Sequence, residues 1–200
     1  MSRKDEIIHD LNYLCSSDCQ ISEKTTRKIL ESISWEWTEN RDGDGCFTKN
    51  SNGYLGCTYW SQKALEAVYE DLSCFKKKKG IKIRSVVTHE HVIPKTLFVK
   101  YVMEQIKQKH SITFDKQSID NTMLIGCIIT KDEDAILNKV YKAEMPNGVF
   151  PVDPKNIWDR YKRANEWCKN NNRDEIIVYH ITWVMNGKKI VVSDIKPIEI

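Results

Sequence analysis

Apolar residues recur at helical spacing near the start of the chain, where Ile7, Ile8, Leu11 and Leu14 predict a short helix ending at about Cys15. Ser22 stands where it would cap a second helix, one carrying Ile29, Leu30, Ile33 and Trp37 along one side. From Glu39 to Gly56 the pattern dissolves into Asn40, Asp42, Gly43, Asp44, Gly45, Asn50, Asn52 and Gly53, which predicts a loop or a tight hairpin. Helical spacing resumes over Thr58–Phe75 through Trp60, Ala64, Leu65, Val68 and Leu72. Lys76-Lys77-Lys78-Lys79-Gly80 then reads as a basic helix end followed by its stop. Ile81, Ile83 and Val87 alternate, which predicts a strand leading into His89.

Pro94 suits the first turn of a further helix, whose apolar face is Leu97, Phe98, Tyr101, Val102 and Ile106 and which runs through to His110. Gln117–Asn121 reads as a turn. Thr122–Ile129, apolar and rich in β-branched residues, reads as a second strand. Thr130-Lys131-Asp132-Glu133 matches a capping box that opens a helix through Ala135, Ile136 and Leu137. Pro146, Gly148, Pro151 and Pro154 mark a loop, the best internal boundary. Beyond it lies a helix with Ile157, Tyr161, Ala164 and Cys168 inward, Arg160, Lys162 and Arg163 outward, and Trp158 and Trp167 at the flanks. Ile176–Met185 and Lys188–Val192 predict a hairpin joined by Asn186-Gly187, the signal of a type I′ turn.

Composition narrows the class. Two hundred residues with 40% apolar and 30% charged side chains describe a soluble globular chain of one domain, or one and a half. The 31 basic and 28 acidic side chains leave a net charge of +3, too small by itself to argue for nucleic acid. The first residues lack the apolar core of a signal peptide, and no window approaches the roughly 20 apolar residues of a membrane span. The seven cysteines include no CxxC pair, although Cys15 and Cys19 could share a helix face. Reduced, mostly buried thiols in a cytoplasmic protein are expected. Asp42 and Asp44 faintly resemble a calcium loop without its glycine and glutamate, so a surface turn is the better reading.

The candidate chemistry lies in Val86-Val87-Thr88-His89-Glu90-His91-Val92-Ile93-Pro94, an apolar strand that ends in three ionisable side chains. His91 can take up a proton near neutral pH, and Glu90 offers the hard oxygen that Mg²⁺ prefers. Together they make the minimum kit for activating water against a phosphodiester. On an extended strand His89 shares a face with His91 rather than with Glu90, which makes it a secondary candidate. Lys76, Lys77, Lys78 and Lys79 read equally well as a helix end or a phosphate-binding patch, and Arg160, Lys162 and Arg163 form a second basic cluster. Trp35, Trp37 and Trp60 read as core rather than as base-stacking platforms.

The order of strand, Glu90-His91, Pro94, helix, Asn121, strand and acid-rich helix resembles the HNH, or ββα-metal, nuclease family over about residues 83–140. The resemblance implies an α/β (α+β) fold. A catalytic finger over 81–145 would sit between an N-terminal helical region, 1–80, and a C-terminal helix plus hairpin, 146–200. It implies that Glu90 binds a divalent metal, Mg²⁺ or Mn²⁺, and that His91 is the general base. Asn121 would hold the histidine ring, and Asp134 would complete the metal site. Glutamate here replaces the commoner aspartate, and the gap from His91 to Asn121 is longer than in relatives. The last ligand could slip to Asp132, Glu133 or Asn138. The implied activity is endonucleolytic cleavage of DNA, double-stranded, in restriction or phage defence, with a homodimer left open. The alternative is a nucleic-acid-binding or regulatory protein with a degenerate, non-cutting finger. A structural zinc module is disfavoured because the matched positions are mainly oxygen donors.

Overall fold

Helix α1 (Arg3–Leu14) carries Asp5 and Glu6 in its first turn, where carboxylates complement the helix dipole, and buries Ile7, Leu11 and Leu14. Helix α2 (Glu23–Glu39) starts from Ser22, whose Oγ accepts the Thr25 amide at 3.3 Å. The computed structural model describes residues 3–16, 19–39, 57–72, 76–108, 112–186 and 189–200. The loop read over Glu39–Gly56, with Asp42 and Asp44, lies outside them from residue 40 onward. So do Cys46, Cys74, Phe75, His110 and Gly187 of the hairpin turn.

The single helix read over Thr58–Phe75 is instead β1 (Tyr59–Ser61), α3 (Gln62–Val68) and β2 (Tyr69–Asp71). Ser61 Oγ accepts the Ala64 amide at 3.1 Å and starts α3, and the extended backbone of Tyr69 ends it. Tyr59 and Trp60 become strand because their backbones pair on both sides, with Cys127 and Ile128 in parallel and with His180 and Tyr179 antiparallel. Sheet pairing outweighs a helical spacing that the same side chains also satisfy. The lysine run is therefore no helix end. β3 (Lys76–Lys77) pairs with β2, and Gly80 supplies the positive φ of +80° in the turn that follows.

A one-turn helix, α4 (Ile83–Val86), replaces much of the strand read over Ile81–Val87, and β4 (Val87–His91) begins where that strand was to end. Pro94 occupies the cap of α5 (Lys95–Lys107) rather than its first turn. Asp115 Oδ1 accepts the Ser118 amide at 2.9 Å in a reciprocal capping box. Helix α6 (Lys116–Thr122) therefore stands where a turn was read, and β5 shortens to Gly126–Thr130. The capping box read at Thr130 and Glu133 does open α7 (Lys131–Val140). After a 3₁₀ turn at Pro154–Asn156 come α8 (Asp159–Asn170) and the hairpin strands β6 (Val178–Asn186) and β7 (Lys189–Pro197).

The chain gathers into two compact units, each assembled from separate segments rather than from three consecutive regions. One unit comprises 1–56, 91–125 and 143–157, and buries Leu11, Leu30, Trp37, Phe98, Val102 and Ile119 among α1, α2, α5 and α6. Within it Lys4 Nζ and Trp37 Nε1 both donate to Asp120 Oδ1, at 2.7 and 2.8 Å, which satisfies a buried ammonium and a buried indole together. The other unit comprises 57–90, 126–142 and 158–200. Its mixed sheet has the order β4-β5-β1-β6-β7, with α7 packed against α8. Trp60, Ile128, Tyr161, Ala164 and Val178 form its core. The chain is thus of mixed α+β class. No helix among the described residues is long and apolar enough to cross a membrane.

Candidate functional site

Strand β4 alternates as its extended backbone requires: Val87, His89 and His91 are buried, while Thr88 and Glu90 are partly exposed. The Glu90 side chain keeps 19% of its surface and accepts a hydrogen bond from Arg160 Nη1 at 2.8 Å. Arg160, on α8, is 1% exposed. It also donates through Nε and Nη2 to the Tyr141 carbonyl, at 3.2 and 2.9 Å. Tyr141 is the C-cap of α7, so that oxygen belongs to the helix end, where carbonyls lack intrahelical donors and the dipole is negative. A carboxylate and a helix end together make burial of the guanidinium tolerable.

This corrects the outward placement of Arg160. The buried face of α8 is wider than its apolar residues alone indicate, because a satisfied cation lies on it. Lys162 and Arg163 do face outward, the first 3.4 Å from Asp159 and the second 2.8 Å from Glu166.

Helix α7 separates the four residues read as alternatives for the third ligand. Glu133 is buried, and its Oε2 accepts from Ser61 Oγ at 2.6 Å, the Thr130 amide at 2.8 Å and Thr130 Oγ1 at 2.9 Å, so the fold itself employs that carboxylate. Asp132 and Asn138 are exposed. Asp134 is partly buried, is bonded to Asn138 and lies within electrostatic reach of Arg160. Burial raises its carboxyl above the ordinary 3.8, against the smaller downward pulls of Asn138 and Arg160. Glu90 and Asp134 therefore share one cationic neighbour. Nearby, burial pushes the Cys127 thiol and the Tyr161 hydroxyl well above their usual values, so both stay protonated at neutral pH.

The chain passes from one unit to the other between Glu90 and His91, so Glu90 and Asp134 belong to one, His91 and Asn121 to the other. His91 is 5% exposed, with Nε2 3.3 Å from the Ser34 carbonyl oxygen and the ring edge-on to Trp35 at 4.5 Å between centroids. The Lys95 ammonium lies 4.9 Å over the same indole. Asn121 is exposed on α6. Ser34 and Trp35 both contact the His91 ring, and sequence reasoning selected neither. A backbone carbonyl leaves no mark in a sequence, and Trp35 was read as core. Trp37 and Trp60 are core, as expected.

Lys76, Lys77, Lys78 and Lys79 are exposed, and Lys82 and Arg84 continue the basic surface towards β4. Lys76 pairs with Glu70 at 3.1 Å and Lys78 Nζ donates to the Glu66 carbonyl at 2.6 Å. The five described cysteines are free thiols: Cys57, Cys127 and Cys168 buried, Cys15 and Cys19 partly exposed.

Among the described residues no three of His, Cys, Asp and Glu gather into a group able to hold a metal ion. Mg²⁺, however, is commonly bound by one or two carboxylates plus substrate phosphate rather than by an all-protein cage. Glu90 and Asp134 both supply carboxylate oxygen, and Arg160 pairs with the first of them. Carboxylate oxygens are donors that a hard cation takes, but the described residues do not gather the further protein ligands that would hold one without phosphate.

No protein-family model matches this chain, and no curated protein and no solved structure is significantly similar to it.

Proposed function

We propose that this protein is an HNH-type endonuclease that hydrolyses phosphodiester bonds in DNA, in the setting of restriction or phage defence. The observation that carries the reading is the exposed basic stretch Lys76, Lys77, Lys78, Lys79, Lys82 and Arg84, which leads directly into the strand bearing Glu90. Cationic side chains there would neutralise phosphates and release condensed counterions. Glu90 and Asp134 would hold one Mg²⁺ or Mn²⁺, which when bound supplies positive charge at the phosphate. His91, whose Nε2 lies 3.3 Å from the Ser34 carbonyl oxygen, would be the general base that takes a proton from the attacking water. Ser34 and Trp35 orient that ring, the task the family resemblance gave to Asn121.

The test is incubation of plasmid DNA with wild type, His91→Ala and His89→Ala, in Mg²⁺, in Mn²⁺ and in EDTA. Cutting is expected in either metal and not in EDTA. His91→Ala should lower the rate about 10²–10⁴-fold with DNA affinity unchanged, and His89→Ala should lower it less. Equal losses at both positions would remove His91 as the base.

A second reading, a DNA-binding protein with a non-cutting finger, is favoured by one observation: Arg160 already neutralises Glu90. Failure to cut any DNA or RNA, with binding intact, would establish that reading.

A further inference from the structure

We propose that Tyr59, His180 and Trp158 form a stacking platform for unpaired nucleobases, with Lys196 and Lys162 beside it taking phosphates. The inference rests on the nuclease reading only in taking the ligand to be a nucleic acid, and it needs neither a metal nor cleavage. Tyr59 and His180 stand directly opposite each other on β1 and β6, and His180 stands opposite Lys196 on β7. Directly opposed residues of antiparallel strands point to one side of the sheet, so these three make a row across it. The Tyr59 ring meets the His180 ring at 5.3 Å between centroids and the Trp158 ring at 5.1 Å, edge-on in both cases.

The row runs from the interior to solvent. Cys127, the parallel partner of Tyr59 on β5, is fully buried, as is Tyr161, which Trp158 meets at 5.2 Å. Tyr59, Trp158 and His180 are partly exposed, and Lys196 is exposed. Trp60, the next residue along β1, points to the opposite side and is fully buried, as an aromatic held for the core alone would be. The Lys162 amide donates to the Trp158 carbonyl at 3.0 Å, which puts exposed Lys162 one helical turn on, on the Trp158 side of α8. Lys162 pairs with Asp159 at 3.4 Å and Lys196 with Asp194 at 2.6 Å. Such surface pairs contribute little, so a phosphate can compete for either ammonium. Aromatic faces stack on any base, and cations beside them call for an anionic chain, which a neutral polysaccharide is not. Bases inside a duplex are stacked on one another, so the platform selects single strands and extruded bases.

The experiment is fluorescence-anisotropy titration of the full chain with a labelled short oligothymidylate and with a blunt duplex, for wild type, Tyr59→Leu, His180→Leu and His180→Phe. Wild type should bind the single strand, and the two leucine variants should bind it about tenfold or more weakly, since they keep bulk and lose the ring. His180→Phe should bind as wild type does, and the duplex should be affected less by every variant. Lys196→Gln should flatten the salt dependence of single-strand binding by about 0.7 in slope, the value for one phosphate. Leucine variants that melt cooperatively and bind the single strand like wild type overturn the proposal. So does His180→Phe binding as weakly as His180→Leu, or a wild type that binds no single strand.

Should the leucine variants not fold, the decisive measurement is photocrosslinking of wild type to an oligothymidylate carrying 5-iododeoxyuridine, with the adducts located by mass spectrometry. Adducts on Tyr59, Trp158 or His180 support the platform, and adducts only elsewhere overturn it. A wild type that binds single strands through these rings and never cuts refutes the nuclease reading alone. A wild type that cuts DNA but whose single-strand binding ignores the loss of the rings refutes the platform alone.

Discussion

Asp134 shows how a residue can be costly to the fold that carries it. Burial holds its carboxyl above the ordinary 3.8, despite the help of Asn138 and Arg160. A group whose folded pKa is raised binds more protons in the native than in the unfolded state. Its contribution to stability is therefore most favourable below the unfolded value. It falls as pH rises from that value through the raised one, and is unfavourable at neutrality. Asp134→Asn keeps the shape and removes the charge. Its Tm should be slightly above wild type at pH 7, and the gain should vanish as pH falls below about 4. Thermal melts across pH 3–7 check this, and a Tm below wild type at neutral pH refutes it. Glu133, one residue earlier, is the opposite case. Its three donors at 2.6, 2.8 and 2.9 Å join the start of α7 to Ser61, so its carboxylate serves the architecture.

At the scale of elements, the basic surface can be divided. Lys76–Lys79 lie exposed on β3 and the turn after it, and among the described residues only part of that charge is paired. On α8, Lys162 and Arg163 each have an acidic neighbour, and Arg160 is buried away from any phosphate. Replacing Lys76–Lys79 with Gln should weaken DNA binding and flatten its salt dependence by about 0.9 in slope for each phosphate no longer neutralised. Replacing Lys162 and Arg163 should change the slope less. Affinity measured from 50 to 200 mM salt decides, and a larger loss on α8 would reverse the assignment. Much of this was legible in the chain: α1, α2, α7 and α8 appear where caps and apolar spacing put them, because those signals are local. The single helix read over Thr58–Phe75 failed because Tyr59 and Trp60 take their conformation from Cys127 and Tyr179, partners no local pattern reveals. Residues 116–122 were misread because the Asp115–Ser118 capping box looked like turn chemistry. That Glu90 lies at a strand end and Asp134 on the helix opened by the capping box was legible. The Arg160 pairing was not, since spacing alone marks a charge on a helix flank as solvated.

At the scale of the molecule, the span 81–145 is not a separable piece. Strand β5 lies between β4 and β1, and β1 also pairs with β6, so a fragment of residues 81–145 lacks the strands that complete its sheet. That fragment should show no cooperative unfolding by circular dichroism and collapsed amide dispersion by NMR, while the full chain unfolds cooperatively and keeps its amides well dispersed. A folded fragment would restore the contiguous division. The sheet also has a history in the order of its making. Tyr59, Trp60 and Ser61 are synthesised before either of their partners, and Ser61 is matched with Val178, far along the chain from it. On the ribosome, where residues emerge at roughly 5–20 per second, β1 must wait for β5 and longer still for β6. A long apolar strand left waiting is an invitation to pair with other nascent chains, and very short strands are one of the ways proteins blunt that hazard. Three residues, capped at once by a helix that begins on Ser61, give a passing chain little to zip onto. The brevity of this central strand thus doubles as protection for a protein still being born.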